Sequence, residues 1–309
     1  WKPAGWNPPK NKNNNMISVN HVHLNKAHKT PQFWFLWIVL CMNVSAGIGI
    51  IGAAAPMLQE TFGGALIGHS DLGFADLKKD ESLLALAAAV GAGFVGLISL
   101  FNIFGRFFWA SISDKLGRKL TYIVFFTLGI LMYVTASYMT GSKSLALFAA
   151  CFCIIASMYG GGFATIPAYL ADMFGTQFVG AIHGRILTAW STAGILGPVI
   201  VNYMHDMRVE AQVPFSEIYA PIFYILASML AIGFIANLMV RPMDNKFFMT
   251  DKELLAEKKL AHEKLTSAKE VIGRAEKTPL ITFLAWSAVG VPISYGIWST
   301  IQKAWILFH

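Results

Sequence analysis

Arg106 is the residue whose type and position ask for a chemical explanation. It sits in Leu97–Leu120 (LISLFNIFGRFFWASISDKLGRKL), an apolar run that ends in a charged turn, Asp114-Lys115-Leu116-Gly117-Arg118-Lys119. At about 1.5 Å per residue, the spacing from Arg106 to Asp114 starts the guanidinium roughly 12 Å inside the helix end. In a bilayer core about 30 Å thick, it approaches mid-depth. A charge there costs roughly 2.5–3.5 kcal/mol on insertion scales, so it normally faces a watery cavity, a fixed partner or an anionic ligand. The plainer alternative is an arginine that snorkels to the nearer interface or bonds a helix carbonyl. Asn102, four residues earlier, shares its helical face, and that face is the expected lumen.

Other apolar runs offer polar groups for the same lumen. Asn43 lies in the first run and reads equally as an interhelical hydrogen-bonding group or a substrate contact. Tyr159 opens Tyr159-Gly160-Gly161-Gly162-Phe163, with Pro167 following. Each glycine weakens a helix by up to about 1 kcal/mol relative to alanine, so this stretch is either a close helix contact or a hinge. Trp190 and Ser191 fall about two turns inside the fifth run. Arg185, near the end of that run, reads as an anchor or ion-pair partner.

These residues must be held by membrane spans. Hydrophobic residues make up 55% of the 309 and charged residues 13%, with a mean hydropathy of +0.54. That composition excludes an ordinary soluble domain. Runs of spanning length lie at 33–57, 83–112, 120–140, 145–171, 180–203, 218–240 and 280–301, leaving no room for a separate soluble domain. The first opens with Phe33, Trp34 and Trp37, an interfacial aromatic belt. It continues into a small-residue stripe, Ser45, Ala46, Gly47, Gly49 and Gly52, where another helix can approach closely. Residues 250–277 differ: Thr250 and Glu253 form a capping-box pattern, and Leu254, Ala261, Leu265, Ala268, Ile272 and Ala275 make a narrow apolar stripe. This reads as an amphipathic cytoplasmic helix on the membrane surface. The last run, with Pro292 and Gly296, reads as an anchor.

Charge placement sets the expected orientation. Of 24 Lys and Arg, five lie in 1–32, three in 115–119 and nine in 241–277, whereas Lys78, Lys79, Lys143, Arg208 and Lys303 are the opposite set. The bias puts the N-terminal segment, the 115–119 turn and the 241–277 linker in the cytoplasm, and His309 outside. The net charge of +7 therefore follows membrane alternation, which argues against nucleic acid as a partner. Cys41, Cys151 and Cys153 all fall inside apolar runs and read as small core residues. His21, His23 and His28 lie in a basic loop without metal-ligand spacing, so neither a metal nor a cofactor is expected. Residues 1–32 are rich in Pro, Asn and Lys and read as a loop; a chain opening there at Trp1 reads as cut from a longer one.

The segment Ala110-Ser-Ile-Ser-Asp114-Lys-Leu-Gly117-Arg118-Lys119 resembles the cytoplasmic-loop signature of the major facilitator superfamily, with Ala110 standing where the family usually has Gly. Asp172, in Tyr169-Leu-Ala-Asp172-Met-Phe-Gly175, resembles the acid that members pair with the loop arginine. An Arg118–Asp172 contact is therefore expected, with Arg185 as the competing partner. More particularly, Trp34–Phe62 and Tyr159–Tyr203 look like the second half of an oxalate:formate antiporter family member. The resemblance covers about 30–245 and implies an all-α membrane protein, with six of the usual twelve spans. On that reading, 1–32 is a central-loop remnant, 33–245 a six-helix C-terminal half and 246–279 the amphipathic linker. Residues 280–309 are an additional transmembrane helix and tail, and the partner is a missing N-terminal six-helix half.

The resemblance implies alternating access around a midplane cavity, in a multi-pass inner (plasma) membrane protein. Arg106 takes the family's place for a carboxylate-binding arginine, and Asp114, Gly117, Arg118, Asp172 and Arg185 take gating places. Oxalate exchangers add a lysine on the facing fifth-span helix. Here 180–203 has none, and Trp190 lies near where it is expected. One fixed cation suits a monocarboxylate such as lactate, pyruvate or formate better than a dianion; oxalate/formate exchange is the nearby alternative. A membrane-embedded enzyme would need an acid–base pair, nucleophile or metal cluster at matched depth, and the spans show no such constellation. A non-transporting sensor or anchor built on a transporter body is the remaining alternative, but it gives Arg106 no task.

Overall fold

The computed structural model describes residues 18–142, 144–274 and 279–305. The helices in chain order are α1 Leu24–Ala27, α2 Pro31–Phe62, α3 Phe74–Leu77, α4 Glu81–Leu116, α5 Arg118–Ser142, α6 Leu145–Phe174, α7 Val179–Ile186, α8 Thr188–Glu210, α9 Ala220–Met239, α10 Asp251–Arg274 and α11 Pro279–Trp305. Among the described residues, six segments are long and apolar enough to cross a bilayer: Pro31–Ile67, Glu81–Leu116, Arg118–Thr140, Leu145–Phe174, Val179–Glu210 and Phe215–Met239. Six such segments make this a multi-pass helical membrane protein, since only helices with internally satisfied backbones span lipid in this way. The chain divides into two units, Trp1–Phe248 and Met249–His309.

Local chemistry explains the helix ends. Thr30 caps α2, its Oγ1 accepting from the Phe33 N–H at 3.3 Å, and Pro31 takes the first turn, where a missing N–H costs nothing. Asp80 caps α4 by accepting from the Ser82 and Leu83 N–H groups at 2.9 and 3.3 Å. Gly117, at φ +87°, turns α4 into α5 within one residue. In the second unit, α10 starts at the expected capping box: Glu253 Oε2 accepts from the Thr250 N–H at 2.8 Å, and Thr250 Oγ1 accepts from the Glu253 N–H at 3.4 Å. Ala275, the last residue of its apolar stripe, lies outside the described residues.

Three expectations need correction. The 1–32 segment, from residue 18 on, is not all loop: His23 accepts from the Asn25 N–H at 3.1 Å and starts the single-turn helix α1, while Val22 bridges to Phe248. The fifth run is broken at Leu187 into α7 and α8. There Thr188 Oγ1 donates to the Arg185 carbonyl at 2.8 Å and accepts from the Trp37 indole N–H at 2.9 Å. Residues 60–82 read in the sequence as an external loop, but Glu60 belongs to α2.

The first unit is assembled along small-residue seams. α8 buries Ala189, Ala193, Gly197 and Val201 at strict four-residue spacing. Gly197 approaches the Ser45 carbonyl and Gly49 on α2, so the stripe read in the first run seats α8. α4 buries Ala87, Gly91, Phe94, Ile98, Gly105, Trp109 and Ser113 on one line and leaves Phe104 and Phe107 open, at 68% and 72% exposure. That line meets α6: Gly105 lies on the Ser157 backbone, Gly160 on the Asn102 carbonyl and Gly161 on the Trp109 side chain. α6 runs unbroken through Gly160–Gly162 and Pro167, so the triple glycine is a packing device here. Cys41, Cys151 and Cys153 are free and buried in the core, as expected.

The seam is testable. A Cβ at Gly160 would overlap the Asn102 carbonyl, a backbone atom, whereas one at Gly93 meets open space. Gly160→Ala is expected to destabilise the protein by about 1–3 kcal/mol, the usual range for overpacking, and Gly93→Ala to stabilise it by up to about 1 kcal/mol through helix propensity. Thermal unfolding of both variants in detergent measures the difference.

Candidate functional site

Arg106 reaches its position because Gly105 and Gly160 let α4 and α6 approach closely. Its side-chain stem runs past Gly160, where an added Cβ would lie 3.3 Å from Arg106 Cγ. The guanidinium is exposed, and among the described residues it has no ion pair or hydrogen bond. Two aromatic contacts build the wall beside it. Tyr159 and Phe163 meet edge-on at 5.8 Å, and Phe163 meets Trp190 edge-on at 5.7 Å. The Tyr159 hydroxyl has the Trp190 indole and the Arg106 guanidinium as polar neighbours. α4, α6 and α8 thus bring Arg106, Tyr159 and Trp190 together. Phe163 completes the corner, and the sequence offered no signal for it beyond one more aromatic in an apolar run.

The other candidates are placed differently. Asn102 is half-buried, and with Ile51, Ile98, Ser99 and Ile103 it lines a shallow pocket between α2 and α4. Ser191 is exposed on α8, one position past Trp190. Asn43 is 6% exposed and packs on Gly162, and its Nδ2 has no partner. It lines a small interior void with Gly47, Tyr133 and Tyr159, behind the Tyr159 ring. It is thus buried between helices, on Gly162, without the hydrogen bond that the interhelical reading expects of its Nδ2.

The charged turn forms a second cluster. Arg118 opens α5 and is 9% exposed; it donates to the Ser113 hydroxyl and the Asp114 carboxylate. Its Nε stands 3.6 Å from Asp172 Oδ2, so the expected ion pair between α5 and α6 is present. Asp114 meets Arg118 across Gly117 and does not cap a neighbouring helix. Arg185 does not compete: it donates to the Leu24 carbonyl at 2.8 Å and meets His28 Nδ1 at 3.1 Å, tying α7 to the segment around α1. Two contributors went unread. Lys119 Nζ donates to the Leu238 and Val240 carbonyls at 2.9 and 2.7 Å, satisfying the end of α9, and Asn237 donates to the Lys119 carbonyl at 3.0 Å. A cation one residue into a helix gives no hint that it closes another helix's end.

Six spanning segments and this charged turn define a multi-pass helical membrane protein. The chain belongs to the major facilitator superfamily, whose model matches residues 41–305. It is 31% identical over 170 residues to the oxalate:formate antiporter of Oxalobacter formigenes, a match covering 55% of this chain and 35% of that protein. It is 28% identical over 163 residues to the glucose transporter GlcP of Staphylococcus epidermidis, covering 50% of this chain and 32% of the relative. A third relative, the apicoplast pyruvate carrier 2 of Toxoplasma gondii, is 27% identical over 108 residues, or 35% and 16% of the two chains. The chain thus spans about a third of the length of the first two relatives. One of those is named for anions and the other for a neutral sugar, so similarity alone does not set a substrate.

Removing Arg118 tests the second cluster. Arg118→Ala leaves the half-buried Asp172 carboxylate without its cation, at an expected cost of about 1–3 kcal/mol. Arg185→Ala, which breaks only the tie to the α1 segment, is expected to cost less. Thermal unfolding midpoints of the two variants, compared with the unaltered protein, give the order.

Proposed function

We propose that this chain contributes the six-helix C-terminal half, residues 33–245, of a secondary transporter for small organic anions. The substrates are monocarboxylates such as lactate, pyruvate or formate, moved by alternating access against an N-terminal six-helix half. On this reading, 246–279 is a cytoplasmic amphipathic linker and 280–309 an additional transmembrane helix and tail. The N-terminal segment is cytoplasmic, following the excess of basic residues on that side, and the membrane is the plasma membrane, as the family resemblance implies. Arg106 binds the carboxylate, Asn102, Tyr159, Trp190 and Ser191 contribute to the lumen, and Asn43 supports it from behind.

One observation carries this reading. Arg106 stands without an acidic partner on a spanning helix, among the described residues, at the open edge of an aromatic corner. A guanidinium offers a planar fork that matches a carboxylate, and low-dielectric surroundings strengthen the pair. The corner adds apolar walls and one hydroxyl but no second cation. A single charge fits a monoanion, whereas oxalate would bring one unmatched negative charge into an apolar wall. Asp114, Gly117, Arg118 and Asp172 then act as a gate latch: an ion pair that holds α5 to α6 in one state and can exchange partners in the other.

Proteoliposomes bearing the full-length protein test both parts. Losing a charge-assisted bond worth about 1.5–3 kcal/mol predicts that Arg106→Ala lowers monocarboxylate exchange by at least about tenfold. Arg106→Lys keeps the charge, loses the fork and should fall between the two. Trp190→Lys places a second cation by Arg106 and should move preference from lactate toward oxalate. Unchanged exchange by Arg106→Ala, or oxalate outcompeting monocarboxylates in the unaltered protein, contradicts the assignment.

A further inference from the structure

A second polar cluster lies at the other end of the bundle from the Arg118 turn, since Tyr219 precedes α9 whereas Lys119 closes its far end. Glu60, the one acid in α2, points its carboxylate into the junction of α2, α8 and the start of α9 and is 11% exposed. Its Oε2 accepts from the Tyr219 hydroxyl at 2.8 Å and lies 2.9 Å from His205 Nε2. The other ring nitrogen of His205, Nδ1, lies 3.0 Å from Asp206 Oδ1. Among the neighbouring charges, Arg208 donates to the Glu217 carbonyl at 3.1 Å and Lys78 stands 4.6 Å over the Phe215 ring. Neither engages Glu60.

These contacts count protons. A neutral imidazole carries one N–H and one lone pair, so it can donate to only one of two flanking carboxylates. Carboxylates at both ring nitrogens require an additional proton, either on the imidazole or on one of the acids. Without it, one contact sets a ring lone pair against a carboxylate oxygen. We propose that Glu60, His205 and Asp206 form a proton-binding site whose proton fastens α8 to α2. α8 carries Trp190, and α2 carries Gly47, on which the Tyr159 ring is packed. Loosening this end therefore changes the walls beside Arg106. This consequence for transport rests on the function proposed above; the proton site itself does not.

The test uses the purified full-length protein at a series of pH values between about 5 and 8, where a histidine cluster exchanges its proton. Thermal unfolding is read in detergent and lactate exchange in proteoliposomes. The stabilising proton is present at low pH and leaves as the pH rises, so the unfolding midpoint of the unaltered protein should shift downward across the interval. His205→Asn and Glu60→Gln should each flatten that shift, and the difference between their slopes and that of the unaltered protein isolates this cluster from the other histidines. If the slopes differ but lactate does not move at any pH, the proton site stands and the transport reading fails. If both variants keep the slope of the unaltered protein, or the unaltered protein has none, the site is overturned, whatever lactate does.

Discussion

The structure turns on an arginine that, among the described residues, has neither an ion pair nor a hydrogen bond. Hydrocarbon penalises an exposed guanidinium, and spanning helices normally bury such a group against a carboxylate or a carbonyl. Here the packing does the reverse. Gly105 and Gly160 draw α4 and α6 together until backbone meets backbone, and the closeness carries the Arg106 stem past Gly160 to the open edge. Tyr159, Phe163 and Trp190 then limit what can approach it. A bulky side chain in the seam would let the helices separate and the guanidinium find another partner.

The rest of the unit can be understood as holding that edge from both ends. At one end, Arg118 gathers Ser113, Asp114 and Asp172, while Lys119 secures the close of α9. At the other, Glu60 collects His205 and Tyr219. Both clusters join helices through polar contacts, unlike the glycine seams between them, which are set by shape.

How much was legible in the sequence followed the range of each interaction. Spans and the α4–α5 turn are local: apolar length, a capping aspartate and one glycine decide them, and the turn and the first six spans formed where expected, apart from the break at Leu187. The Arg118–Asp172 pair could be anticipated because Asp172 resembles the acid that superfamily members pair with the loop arginine. The meaning of the triple glycine could not, since a packing seam and a hinge use the same residues and only the presence of α4 distinguishes them. The break at Leu187 was hidden because the apolar pattern continues through it, and Trp37, which donates to Thr188 beside it, is far away in the chain. Nothing in the sequence joins Glu60 to His205, 145 residues further on, and only the fold brings them to 2.9 Å.

The central claim is that the Arg106 guanidinium is free to receive a carboxylate. Its most direct test is protection of that side chain from an arginine-selective dicarbonyl reagent, read by mass spectrometry of the peptide around Arg106, with Arg241 as an internal reference. The account predicts that Arg106 reacts readily alone and is shielded by saturating lactate or formate, while Arg241 reacts equally in both. Equal modification of Arg106 with and without the carboxylate would contradict it.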